Sequence, residues 1–216
     1  MRTQRREQAD QRRQQILDVA SRRFIADGYA RTSVSSIVRD AGIAQGTFYL
    51  YFKSKQGVLL ELRRAVVGQY EAALLEAAAQ QGPVDVRLAN VVVRIVGVLQ
   101  ESLPLERVFR AAESAEETQR AALNGRRRLA RIAAELIEQG IAQGIFQPCS
   151  PLLTAQFIVT LFDEVLYDAL AHQQPAAVHE VVAEGMRFAL RALGVPPARM
   201  DAIASAISLP DEEGAG

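Results

Sequence analysis

The chain has 216 residues, of which 49% are apolar and 23% charged, with no tryptophan and only one cysteine, Cys149. These values exclude a disordered chain and a disulfide-built mini-protein, and the dominance of Ala, Leu, Val, Glu, Gln and Arg favours an all-α fold. The formal net charge is zero, but residues 1–60 hold eleven Arg and Lys against five acids, so this quarter carries +6 and the remainder −6. A basic end on an acidic body is the arrangement expected when one end meets a polyanion.

No apolar signal region follows the arginine-rich start, which reads as a cytoplasmic protein. Apolar runs fall short of the roughly 20 residues of a membrane span, so no membrane partner is expected. Two histidines and one cysteine offer no zinc set, and no metal or other cofactor is expected.

Residues 1–10 show no apolar periodicity and read as a disordered basic arm. From Gln11 to Asp27, Ile16, Ala20 and Phe24 form a helical stripe that ends at Gly28. Thr32 and Ser33 offer N-caps for a short second helix with Val34, Ile37, Val38 and Ala41 on one face, stopped by Gly42. A third helix runs from about Ala44 to Phe52, with Phe48 and Phe52 inward. A long fourth helix follows from Ser54 to about Gln80, where Gln81-Gly82-Pro83 breaks it. Further helices are expected over Val84–Ser102, Leu105–Glu113, Glu116–Gln143, Pro151–Gln173 and Pro175–Leu193, with a short one near Ala198–Ile207 and a disordered tail over 209–216.

Two short helices joined by a glycine-containing turn over 33–52 have helix-turn-helix spacing, in which the second helix enters the DNA major groove. Bare spacing fits an ordinary helical hairpin as well. The residues narrow it: TSVSSIVRDAGIAQGTFYLYFKSKQGVLLEL closely resembles the DNA-binding signature of the TetR family of transcriptional regulators, through Gly46, Thr47, Phe48, Tyr49, Leu50, Tyr51 and Phe52, then Lys53, Ser54 and Lys55. The resemblance covers about residues 11–70. It implies an N-terminal three-helix DNA-binding domain over 11–70 and a C-terminal helical bundle over 71–208 for effector binding and dimerisation.

By position, the resemblance implies phosphate contacts from Thr32, Ser33, Thr47, Tyr49 and Lys55, with Gln45 and either Leu50 or Tyr51 at base edges. Val34, Ala44 and Gly46 complete the DNA-binding set, and Tyr51 has a packing role against the first helix as its alternative. Ala44 stands where the family often has a Ser or Thr cap, and Leu50 where a polar base reader is common.

The Pro151–Gln173 helix has two apolar stripes, one with Phe157, Ile158, Leu161 and Val165, the other with Phe162, Leu166 and Leu170. A helix apolar on two sides is buried on two sides. Phe162, Leu166 and Leu170, with Val178, Val182, Gly185 and Ala189 of the next helix, read as a four-helix homodimer interface. Arg126 falls in an apolar sector of its helix, and Glu164 and Asp168 flank Phe157 and Leu161. These charges either pair structurally or mark an effector pocket with Phe157 and Leu161.

The leading expectation is a dimeric repressor released from a palindromic operator by a hydrophobic or amphipathic effector, fatty-acyl or aromatic. A regulator without a small-molecule ligand, or a helical ligand carrier that binds no DNA, is the alternative. An enzyme is not expected, since no catalytic constellation can be assembled.

Overall fold

The computed structural model describes residues 2–112, 116–172 and 175–206, and every described element is a helix. In chain order these are α1 (Arg2–Asp27), α2 (Val34–Asp40), α3 (Gln45–Tyr51), α4 (Lys55–Ala78), α5 (Val84–Ala111), α6 (Glu116–Ala142), α7 (Pro151–Ala171), α8 (Pro175–Ala192) and α9 (Pro197–Ala206). The chain divides into two compact units, Met1–Val66 with Pro104–Ala122 and Val67–Leu103 with Leu123–Gly216. The division on α4 falls after Val66, and the first unit also includes the end of α5 and the start of α6.

The first unit closes around Ile16, Ala20 and Phe24 of α1, Ile37 of α2, Phe48 of α3 and Val58 and Leu59 of α4, none more than 1% exposed. Helix α1 begins at Arg2 rather than after a disordered arm. Arg, Gln and Glu are good helix formers, and once the Ile16 to Phe24 stripe nucleates the helix, each preceding residue adds a backbone bond at little cost.

Residues 102–105 were expected to separate two helices, yet α5 runs unbroken through Pro104. A mid-helix proline costs about 3 kcal/mol. Val108 and Phe109 beyond it are 7% and 0% exposed, and burying each side chain returns about 1.5 to 3 kcal/mol, enough to keep the helix going. This continuity makes α5 the one described helix long and apolar enough to span a membrane. Its apolar face instead packs inside the protein through Val84, Leu88, Val92, Val96 and Leu99, as a core helix does.

In the second unit, α8 lies against α7, with Leu166, Val182 and Leu190 at most 2% exposed. Gly194 takes φ +77° just past α8, and a Cβ there would fall 2.3 Å from the side chain of Gln147, whose backbone N–H donates to the Leu193 carbonyl at 2.8 Å. Only glycine suits both the backbone sign and the space. At the other end, Asp85 at the start of α5 is 2% exposed and accepts two hydrogen bonds from the Arg199 guanidinium on α9, at 2.7 and 3.0 Å. Residues 209–216, expected to be a tail, lie outside the described residues.

Candidate nucleic-acid interface

The geometry of α2 and α3 starts with their ends. Ser33 caps α2: its hydroxyl accepts from the Ser36 amide at 3.1 Å, while its own amide donates to the Ser36 hydroxyl at 3.2 Å. Gly42 then turns the chain at φ +61°, and the Ile43 amide reaches back to the Val38 carbonyl. Ala44 supplies no side-chain cap to α3, as its departure from the usual Ser or Thr implies. Phe48 is wholly buried and makes an edge contact with Tyr49 and a tilted one with Phe52.

With Phe48 inward, the opposite face of α3 is left open. Gln45 and Gly46 are exposed, Tyr49 is 51% and Leu50 82% exposed, and Thr47 and Tyr51 are half-buried. An exposed tyrosine and leucine beside a glutamine, held on a short rigid helix, form a surface that can follow a groove: the hydroxyl and amide for hydrogen bonds, the leucine for a thymine methyl. Ser33 is exposed beside this face and Val34 half-exposed.

Two residues expected at phosphates are turned inward. Thr32 is 2% exposed, and its hydroxyl donates to the Gly28 carbonyl at 2.9 Å. Lys55 Nζ donates to the carbonyls of Tyr29 and Thr32 at 2.7 and 2.8 Å and sits 4.2 Å from the Tyr29 ring centre. The reason is geometric: the 29–32 loop leaves carbonyls unpaired, and an ammonium at the start of α4 is the nearest group with several donors. Partial burial lowers the Lys55 pKa and raises that of the Tyr29 phenol.

The sequence reading missed the clamps that orient the pair. Arg23 of α1 bridges Asp40 at the end of α2 (2.5 Å) and Asp27 (2.7 Å), and its hydrogen bonds hold the Asp40 carboxyl below the ordinary carboxylate pKa. Arg13 reaches Glu61 of α4 at 2.8 Å and lies over the Phe52 ring, again lowering a carboxyl pKa, that of Glu61. The i, i+4 spacing of Arg23 and Asp27 was visible; the partners seventeen and forty-eight residues away were not.

Residues 16–62 match the family described as bacterial regulatory proteins, tetR family. This segment is similar to the DNA-binding region of that family of transcriptional regulators. A fatty acid metabolism regulator protein of Bacillus subtilis is 36% identical over 78 residues, 36% of this chain but only 40% of that protein. The uncharacterized HTH-type transcriptional regulator YfiR of the same organism is 26% identical across 86% of this chain and 93% of its own length. In fold, the chain is similar to the transcriptional regulator FadR from Bacillus subtilis, solved in complex with stearoyl-CoA, with a TM-score of 0.69, 24% identity and coverage of 82% and 96% of the two chains.

In the C-terminal unit, the stripe of α7 expected at a dimer interface is the one covered by α8 of the same chain. Leu166, Val178, Val182 and Ala189, expected at a dimer interface, are 8% exposed or less. Phe162 occupies the space over Gly185, where a Cβ would come within 2.5 Å of its ring, and Leu170 is half-buried. These side chains pack α7 on α8 of the same chain. Phe162, Leu166 and Ala189, with Tyr70, Leu74, Leu88 and Leu129, also line an internal cavity of about 80 Å³.

The residues expected around an effector lie elsewhere. Phe157 is 66% and Leu161 48% exposed, and Asp168 is exposed and pairs with His172 at 3.2 Å. Glu164 is exposed on the same side. Arg126 alone reaches the cavity, indirectly: its guanidinium holds Asp163 at 2.6 and 2.8 Å, and Asp163 is part of the cavity wall. A helical wheel displays both stripes of α7 but not which one α8 covers. Among the described residues no group of His, Cys, Asp and Glu is placed to hold a metal.

Proposed function

We propose that this regulator acts in the cytosol as a homodimer that occupies a palindromic operator and represses transcription until an amphipathic effector enters the C-terminal cavity. The observation that carries the reading is the cavity itself: an apolar chamber with one carboxylate, Asp163, bridged to Arg126 at its wall. Apolar walls with a single oriented polar pair suit a long apolar chain ending in a charged group. At about 80 Å³ the chamber is below the roughly 300 Å³ of ordinary ligand sites, so an effector must part the helices to enter. Entry then favours a conformer other than the empty one, and DNA is released if that parted conformer binds it less well.

Dimerisation is assigned to the open stripe of α7. Leu153, Phe157, Leu161 and Val165, with Phe188 of α8, are each 48% exposed or more, and Leu161, Val165 and Phe188 line an open groove of about 470 Å³. Soluble chains rarely leave such a patch bare, and two recognition helices are needed for two half-sites. The named relatives support a fatty-acyl effector over an aromatic one. The test is release of the protein from its selected operator, followed by fluorescence anisotropy, on titration with long-chain acyl-CoA, free fatty acids and aromatic acids. Release by acyl-CoA alone is the expected result; a complex indifferent to all three would overturn the sensing role.

A further inference from the structure

Helix α1 is longer than its core requires. Its first buried residue is Ile16, and none of Arg6 to Gln15 is buried, so residues 2–15 run about 20 Å past the packed stripe at 1.5 Å per residue. Beside this extension lies a polar cleft of about 520 Å³ lined by Gln8, Gln11, Arg12 and Gln15 of α1 and by Tyr51 at the end of α3. Its floor is fixed to the helix pair, because Gln15 accepts from Arg12 at 2.7 Å and donates to the Ala41 carbonyl, the C-cap of α2, at 2.8 Å. The cleft is thus tied to the end of α2, with Tyr51 of α3 on its wall.

We propose that this extension is a second DNA-contacting element, in which Gln8, Gln11 and Arg12 beside Tyr51 seat the phosphodiester backbone flanking the half-site read by α3. Amide and guanidinium donors on a mostly polar wall fit phosphate oxygens rather than an amphipathic effector. The surplus of six positive charges in residues 1–60 includes Arg2, Arg5, Arg6 and Arg12 of this extension, against Glu7 and Asp10, so the element is attracted to a polyanion before any contact forms. Its footprint lies outside the groove α3 occupies, which lengthens the operator without adding base-specific readout.

The proposal rests on DNA binding by α3, and the test separates the two. The duplex selected by the full-length protein from a random pool is prepared in two lengths, one ending at the half-sites and one extended by about one helical turn on each side. The expected result is tighter binding to the longer duplex, with Arg12→Ala and the Gln8→Ala/Gln11→Ala pair losing that gain while binding the short duplex as wild type does. Arg12→Ala should also reduce the slope of log affinity against log salt by about one on the long duplex only, and Arg12→Lys should restore it. Equal wild-type affinity for the two lengths overturns the proposal, as does an equal loss on both duplexes, which would mark a structural role through Gln15. Failure of the wild-type protein to bind either duplex overturns the underlying DNA reading instead.

Discussion

Lys55 and Tyr29 form a knot at the base of the DNA-binding unit: the ammonium donates to the Tyr29 carbonyl at 2.7 Å and lies 4.2 Å from the centre of the same residue's ring. A lysine so engaged orders the loop between α1 and α2. Lys55→Ala should therefore cost about 1 to 3 kcal/mol of stability, the usual value of charge-assisted hydrogen bonds, and weaken DNA binding through misplacement of α2. Thermal melting and salt titrations check it. If Lys55 met a phosphate in the complex, melting would be unchanged and the salt slope would fall by about one.

On the open face of α3, Gln45 and Tyr49 should separate by kind of loss. Gln45→Ala is expected to cost roughly 1 to 3 kcal/mol at one base pair and to relax preference there. Tyr49→Ala should weaken all duplexes alike. Random-pool selection with each variant reads the difference, and an unchanged selected sequence for Gln45→Ala would remove it as a base reader.

The two sides of α7 give opposite predictions. Leu166 is 1% exposed, so Leu166→Ala should lower stability by about 2 to 5 kcal/mol without altering the oligomeric state. Leu161, 48% exposed on the other side, can accept a charge without disturbing the fold. Leu161→Glu should melt near the wild-type temperature and sediment as a monomer. A dimeric Leu161→Glu protein would move the interface elsewhere.

Removing one partner of the Arg126 and Asp163 pair leaves the other charge at an apolar wall without its 2.6 Å contact. Arg126→Met and Asp163→Asn should each lose about 1 to 3 kcal/mol, and the double variant should recover part of it, because the pair itself pays for desolvation. If acyl-CoA release also weakens in Arg126→Met while operator affinity holds, the guanidinium orients the effector's charged end.

Acid should act through Asp85. Burial opposes its charge, but the Arg199 hydrogen bonds and the Val86 amide at 2.9 Å outweigh it and hold the folded pKa below the ordinary 3.8. A depressed carboxyl pKa contributes stability that is complete above the unfolded value and is lost as pH falls through the folded one. Melting temperature should thus drop below about pH 4, and Asp85→Asn should be less stable at neutral pH yet lose less on acidification. Parallel melting curves for the two proteins would refute this.

Much of the DNA-binding unit was legible in the sequence because its signals are local. The Ile16 to Phe24 stripe, the Ser33 cap, the Gly42 turn and the inward Phe48 all follow from spacings within one or two turns of chain, and backbone geometry enforces those spacings anywhere. The long-range choices were not legible. Which stripe of α7 is covered depends on where α8 lands, whether α5 survives Pro104 depends on what buries Phe109, and whether Lys55 faces DNA depends on unpaired carbonyls twenty-three to twenty-six residues upstream. Local hydrogen-bond periodicity writes helices into a sequence residue by residue, whereas burial and charge pairing are settled between segments, and only the tertiary structure brings those segments into contact.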